Sequence, residues 1–153
     1  MTKPKPLFFE NYFSMIKNSE GSRMFQDFFA ILNGKKKNLT QKGRLSCAFF
    51  VSSILYHFSL IKAPHLTVEG TLKDMKNSGW FEIKKPKKGC VILWEKKKGH
   101  FHLGFCLSSR KAISNSRQKR VPILHSIDFS GKRKIISFFW HKKLDKKVDL
   151  NKK

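Results

Sequence analysis

The chain has 153 residues, enough for one domain with a real core and too few for a second full one. Its 33 Lys and Arg against 10 Asp and Glu give a formal charge of +23, a field that draws polyanions such as nucleic acid, anionic wall polymer or an anionic bilayer surface without choosing among them. A hydrophobic content of 40%, with 15 Phe, excludes disorder throughout.

After a Pro-Lys leader, Phe9, Tyr12, Phe13 and Ile16 recur at helical spacing over Phe8 to Lys17. Phe25 to Leu32 is a second apolar block, read here as helical. Asn33-Gly34 in "NGKKKN" follows as a tight turn, compatible with a hairpin into a short strand. From Cys47 the apolar positions Phe50, Val51, Ile54, Leu55 and Phe58 share one helical face, with Ser46 as the expected N-cap and Pro64 beyond the end. Thr67 caps a further helix through Leu72 and Met75, and Gly79 stops it. Beyond Trp80 the pattern turns to period two. The predicted strands are Trp80 to Ile83, Cys90 to Trp94, Phe101 to Leu107, Lys111 to Asn115, Val121 to Ile127 and Lys134 to Trp140. Short connections favour antiparallel hairpins, so the expected class is α+β, with N-terminal helices packed on an antiparallel β-sheet. One domain is expected, with a helical extension over 1–42, a core over 43–140 and a basic tail over 141–153.

Three cysteines with no close spacing give no disulfide framework and favour a reducing, cytoplasmic setting. Glu10 and Asn11 interrupt the apolar stretch that a secretory signal needs, and no window has the length of a transmembrane helix. The oligomeric state is not legible.

Chemistry concentrates in two places. In "GRLSCAFFVSSILYHF", Cys47 opens a helix, where free backbone N–H groups and the helix dipole favour a thiolate and lower its pKa; the other reading is a buried core thiol. In "GHFHLGFCL", strand alternation puts Phe101, Leu103, Phe105 and Leu107 on one face and His100, His102, Gly104 and Cys106 on the other. The missing side chain at Gly104 leaves room beside His102 for a base to meet its partner. His100, His102 and Cys106 are also a conceivable metal set, but no second short-spaced pair completes four ligands, so neither metal nor cofactor is expected. Trp80, Trp94 and Trp140 are read as sheet cover, Cys90 as an inert buried thiol, and His57 and His65 as structural or exposed.

These strings, in order, resemble the bacterial NlpC/P60 superfamily of papain-like cysteine peptidases and, more loosely, the CHAP amidases. "SCAFFV" stands where that family has "DCSGFV", "GCVILW" where it has "GDLVFF", and "HLGFCL" where it has "HVGIYLG"; "KAISNS" then takes the place of the strand that carries a third polar residue. The similarity runs from Gly43 to Ser126 and implies a papain-like NlpC/P60 core with Cys47 as nucleophile and His102 as base. For the group that orients the imidazole, family spacing falls near Ser114, amide chemistry favours its neighbour Asn115, and His125 is a further candidate; Asn115 is the expected orienter. Ser46 replaces the family's acidic residue and Cys90 the aspartate of its "GD" turn, and neither change removes the dyad.

The leading expectation is therefore a cysteine hydrolase that cuts an amide through an acyl-enzyme. The implied substrate is a cell-wall-type peptide, such as a peptidoglycan fragment, whose negative charge suits the chain. The competing expectations are a basic, aromatic-rich module that holds nucleic acid by phosphate contacts and stacking, and a peptidase-like fold without activity.

Overall fold

The computed structural model describes residues 2–145. The last part of the predicted basic tail, 146–153, lies outside the described residues. The elements in chain order are α1 (Phe8–Asn18), β1 (Phe29–Leu32), β2 (Lys35–Asn38), α2 (Cys47–His57), α3 (Val68–Asn77), β3 (Phe81–Ile83), β4 (Val91–Lys97), β5 (His100–Cys106), β6 (Lys111–Asn115), β7 (Pro122–Ser126), β8 (Ile135–Trp140) and a 3-10 turn at Lys142–Asp145. The class is α+β, as expected. Each of the six predicted strands is present, with its ends within three residues of the predicted bounds.

Two expectations are corrected. The block Phe25 to Leu32 is not helical: Phe29–Leu32 is a strand that pairs antiparallel with Lys35–Asn38. Asn33 at φ 51° and Gly34 at φ 76° take the two left-handed positions of a tight hairpin turn, and this local geometry overrides the apolar run. Nor does Ser46 cap α2, because its hydroxyl donates to the Phe25 carbonyl at 2.7 Å. Thr67 does cap α3, accepting from the Gly70 N–H at 3.0 Å.

The six-stranded sheet has the order β3-β8-β4-β5-β6-β7 and is antiparallel throughout. Strands β4 to β7 form a meander. The chain then returns over 127–134 and inserts β8 between β3 and β4. One sheet face carries Leu103 and Phe105 into the core; Phe105 meets Tyr12 of α1 and Phe50 of α2 edge to face, at centroid distances of 6.2 and 5.5 Å. The opposite face, which holds His102, is roofed by Trp94. That ring is fully buried and anchored by its indole N–H on the Ile127 carbonyl at 2.8 Å. The 127–134 connection thus crosses the face that holds His102, a route that strand periodicity does not reveal. At the end of the sheet, Trp140 donates to Asp145 at 2.9 Å and Leu144 is buried, so the first residues of the predicted tail belong to the fold.

Gly104 sets the closeness of this packing. A Cβ there would lie 2.6 Å from the Ile113 carbonyl oxygen, 2.7 Å from Ser114 Cβ and 2.9 Å from the Trp94 ring. Two of those neighbours belong to the backbone or stem of β6 and cannot swing away. Gly104→Ala should therefore destabilise the protein by about 1–3 kcal/mol, read as a lower denaturant midpoint at unchanged slope. A midpoint equal to wild type would show that the sheet yields at no cost.

Candidate active site

Cys47 is the first residue of α2, and its position follows from how the ladder between β5 and β6 ends. The pairing registers at Phe105↔Ile113 and Cys106↔Ala112, and no further pair forms toward His102. Leu107 donates its N–H to Lys111 on β6, whereas Cys106 donates to Cys90 on the β4 side, so odd-numbered residues of β5 point their N–H toward β6. Leu103 is the next odd residue past the last pair. Its N–H supports the ionised sulfur of Cys47, together with the N–H groups of Ala48 and of Cys47 itself. The first turn of α2 thus docks where β5 and β6 part.

Asn115 secures that docking. Its amide donates to the Gly43 carbonyl at 2.7 Å, tying the loop ahead of Cys47 to β6. Gly43 has φ 93°, and a Cβ there would collide with the Arg120 carbonyl, so only glycine lets the two backbones approach so closely. The second amide atom of Asn115, Oδ1, is buried without a hydrogen-bond partner among the described residues.

The expected orienter is thereby corrected. Asn115 makes no hydrogen bond to His102; the neighbouring residue does. Ser114 shares the sheet face of His102, and its hydroxyl lies 2.9 Å from His102 Nε2 and 2.7 Å from His125 Nε2. Strand alternation turns Asn115 to the other face, which its superior chemistry as an acceptor cannot overcome.

The proton positions along this chain follow from one fact. His125 Nδ1 lies 2.7 Å from the Ser126 carbonyl, which can only accept, so Nδ1 carries the hydrogen. Burial lowers the pKa of His125, with the Ser126 carbonyl opposing, so the ring is neutral at pH 7 and its Nε2 is an acceptor. Ser114 must then donate to His125 and accept from His102 Nε2–H. His102 is neutral too: burial, then the positive charge of Arg133, then His125, push its pKa down to about 3. Its Nδ1 is left with a bare lone pair, which is the state a general base requires.

Cys47 departs from its expectation. Burial pushes the thiol pKa up, outweighing the N–H groups of Leu103 and Ala48 and the attraction of Arg133 that pull it down. The resting pair is thus thiol and neutral imidazole, not thiolate and imidazolium. Among the described residues no hydrogen bond joins the two; both line one cleft of about 1210 Å³.

Sequence reasoning missed two contributors, because both come from the 127–134 crossing. Phe129 stacks on His125 with centroids 3.9 Å apart and reaches His102 at 5.9 Å. Arg133 is held by the carbonyls of Glu95 at 3.0 Å and His100 at 2.9 Å, and it lines the cleft with its charge acting on both Cys47 and His102. Six Lys and Arg residues, Arg44 and Arg120 among them, line the cleft against one acid, Glu69. The remaining thiols lie apart from it: Cys90 and Cys106 are fully buried, and Cys106 donates to the Ser108 carbonyl at 3.0 Å. His65 bonds Asp74 at 2.6 Å away from the cleft.

His102 and His125 are both held neutral, which makes stability depend on pH in a defined direction. Below the ordinary value of 6.5 the unfolded chain binds protons that folded His102 refuses until about pH 3, so the stabilisation present above 6.5 drains away as pH falls through that window. The thermal midpoint should fall from pH 7 to pH 5, above the carboxylate range, and less steeply in His102→Gln. Equal slopes in the two proteins would show that His102 does not carry the effect.

Neither a protein-family model nor a curated protein matches this chain.

Proposed function

We propose that this protein is a cysteine hydrolase of the NlpC/P60 type, with a papain-like core, that cleaves an amide in an anionic peptide, the class to which peptidoglycan fragments belong. The observation that carries the reading is the fixed proton order along Ser126, His125, Ser114 and His102, which leaves His102 Nδ1 unprotonated beside the cleft that Cys47 opens onto. A packing histidine has no need of a second histidine and a hydroxyl to hold its tautomer.

In this mechanism His102 Nδ1 takes the thiol proton as the sulfur attacks the scissile carbonyl, and the chain through Ser114 holds the imidazolium that forms. The carbonyl oxygen becomes negative at the N-terminus of α2. There the N–H groups of Cys47, Ala48 and Phe49 precede the first intrahelical bond, Phe50 to Ser46 at 2.8 Å, and no side-chain cap occupies them because Ser46 is turned to Phe25. Collapse breaks the C–N bond with His102 returning the proton to the leaving amine, and a water activated by the same nitrogen then releases the acyl group. Hydrogen bonds of this kind tighten in the substrate complex, so the absence of a direct thiol–imidazole bond at rest is compatible with it. The excess of cations in the cleft favours a substrate bearing carboxylates.

The test is an electrophilic acyl probe on an acidic peptide, followed by mass mapping of the labelled residue. Cys47 should be labelled, Cys90 and Cys106 spared, and Cys47→Ala should lose turnover of acidic peptide amides by about 10³-fold or more. Because the resting thiol is protonated, simple alkylation by iodoacetamide should climb only in the alkaline range, without the acidic plateau of an ion pair. Ser114→Ala should cost about 10-fold or more in kcat with KM little changed, because it frees the imidazole to turn. Retained turnover in Cys47→Ala would sink the proposal.

A further inference from the structure

Among the described residues the β1–β2 ribbon belongs to no other sheet and carries the most exposed large apolar side chains outside Met24. Ile31 is 79% exposed, Phe29 58% and Leu32 52%, and Met24, at 80%, stands just ahead of the ribbon. A short hairpin that turns three such side chains to water gains nothing in the folded monomer. The same ribbon presents Lys35, Lys36 and Lys37 in succession, all exposed and registered against Leu32, Ile31 and Ala30, and Lys36 extends over the Phe29 ring at 4.8 Å. From Phe28 to Ser46 the sequence has five Lys and Arg and no acid.

We propose that this ribbon docks the protein on an anionic lipid bilayer, with Phe29, Ile31 and Leu32 entering the headgroup and acyl boundary and the lysines pairing with lipid phosphates. The charge selects an anionic surface, and the aliphatic tip selects one with an apolar interior. Nucleic acid would use the lysines and Phe29 but offers Ile31 and Leu32 nothing to stack on. A second copy would bring three lysines against three lysines. The base of the ribbon is rigidly placed: Phe28 packs edge to face on Phe49 of α2 at 5.4 Å, and the Asn38 side chain accepts from the Phe28 N–H and donates to Asp27. Leu39 and Leu45, which follow β2, line the cleft, so docking would bring the mouth of the cleft to the lipid surface. None of this depends on the chemistry proposed for Cys47.

The experiment is sedimentation of the full chain with vesicles of phosphatidylcholine alone and with phosphatidylglycerol as about one third of the lipid. The expected result is binding to the anionic vesicles, weakened about 10-fold or more by the pair Ile31→Ser and Leu32→Ser, and likewise by Lys35, Lys36 and Lys37 each changed to Gln. Removing three exposed lysines elsewhere, Lys84, Lys85 and Lys119, should do much less. Far-ultraviolet circular dichroism should match wild type in every variant, since the substituted side chains are exposed. A Phe29→Trp variant adds a positive signature, an emission blue shift on anionic vesicles only. The proposal is overturned if the Ser pair binds vesicles like wild type, which would leave only adsorption of a cationic chain. It is equally overturned if the ribbon variants lose a single-stranded oligonucleotide or a dimer while vesicle binding stays intact.

Discussion

The contact on which the rest of the site depends is the docking of the first turn of α2 at the point where β5 and β6 separate. A continued ladder would spend the Leu103 N–H on β6 and leave no opening for a sulfur. Because pairing stops at Phe105 and Ile113, the Leu103 N–H is not spent on β6 and favours the ionised form of the Cys47 sulfur. Asn115 and Gly43 hold the loop at that gap, and Gly104 keeps the strands and Trp94 close on the other face. The site is therefore a product of two failures of regularity, a strand pair that ends early and a helix without a side-chain cap.

The second constraint is protonic. A backbone carbonyl has no hydrogen to give, so the Ser126 oxygen dictates the tautomer of His125, the direction of the Ser114 hydroxyl and the tautomer of His102. Serine serves here as a switch of polarity between two rings, accepting from one and donating to the other. An asparagine in its place would present an amide oxygen to one ring but could not both accept and donate through a single atom. Phe129, stacked on His125, and Trp94, tilted against His102, keep water from competing for these bonds.

Charge is arranged on two scales. Over the whole chain the excess of Lys and Arg is a general attraction to anions, whereas at the cleft Arg133 is a single cation fixed by two carbonyls, close enough to act on both Cys47 and His102. It stabilises a thiolate and opposes an imidazolium, so it favours negative charge at the sulfur or on a bound substrate over charge separation between Cys47 and His102. The ribbon combines charge with apolar surface on a rigid base, and that combination separates it from the lysine-rich turns elsewhere.

Much of the fold was legible because its signals are local. Six strands were read from period-two patterning or short apolar runs between turn residues, α2 from its apolar face, α3 from its Thr67 cap and Gly79 stop, and the hairpin turn from Asn33-Gly34. The block ahead of that turn was misread because a short apolar run has no period that separates helix from strand. At the site, Cys47 and His102 were read from position in an element and from neighbouring residues, and Ser114 and His125 were recognised only as alternatives to Asn115. The amino-acid sequence by itself determined which residues can be acids, bases and nucleophiles, and on which face of each element they stand. Only the tertiary structure decided between Ser114 and Asn115, raised the Cys47 thiol where its helix position alone would lower it, and brought Arg133 and Phe129 across the sheet. Those outcomes depend on burial and on where the ladder ends, and both are set by contacts between segments far apart in the chain.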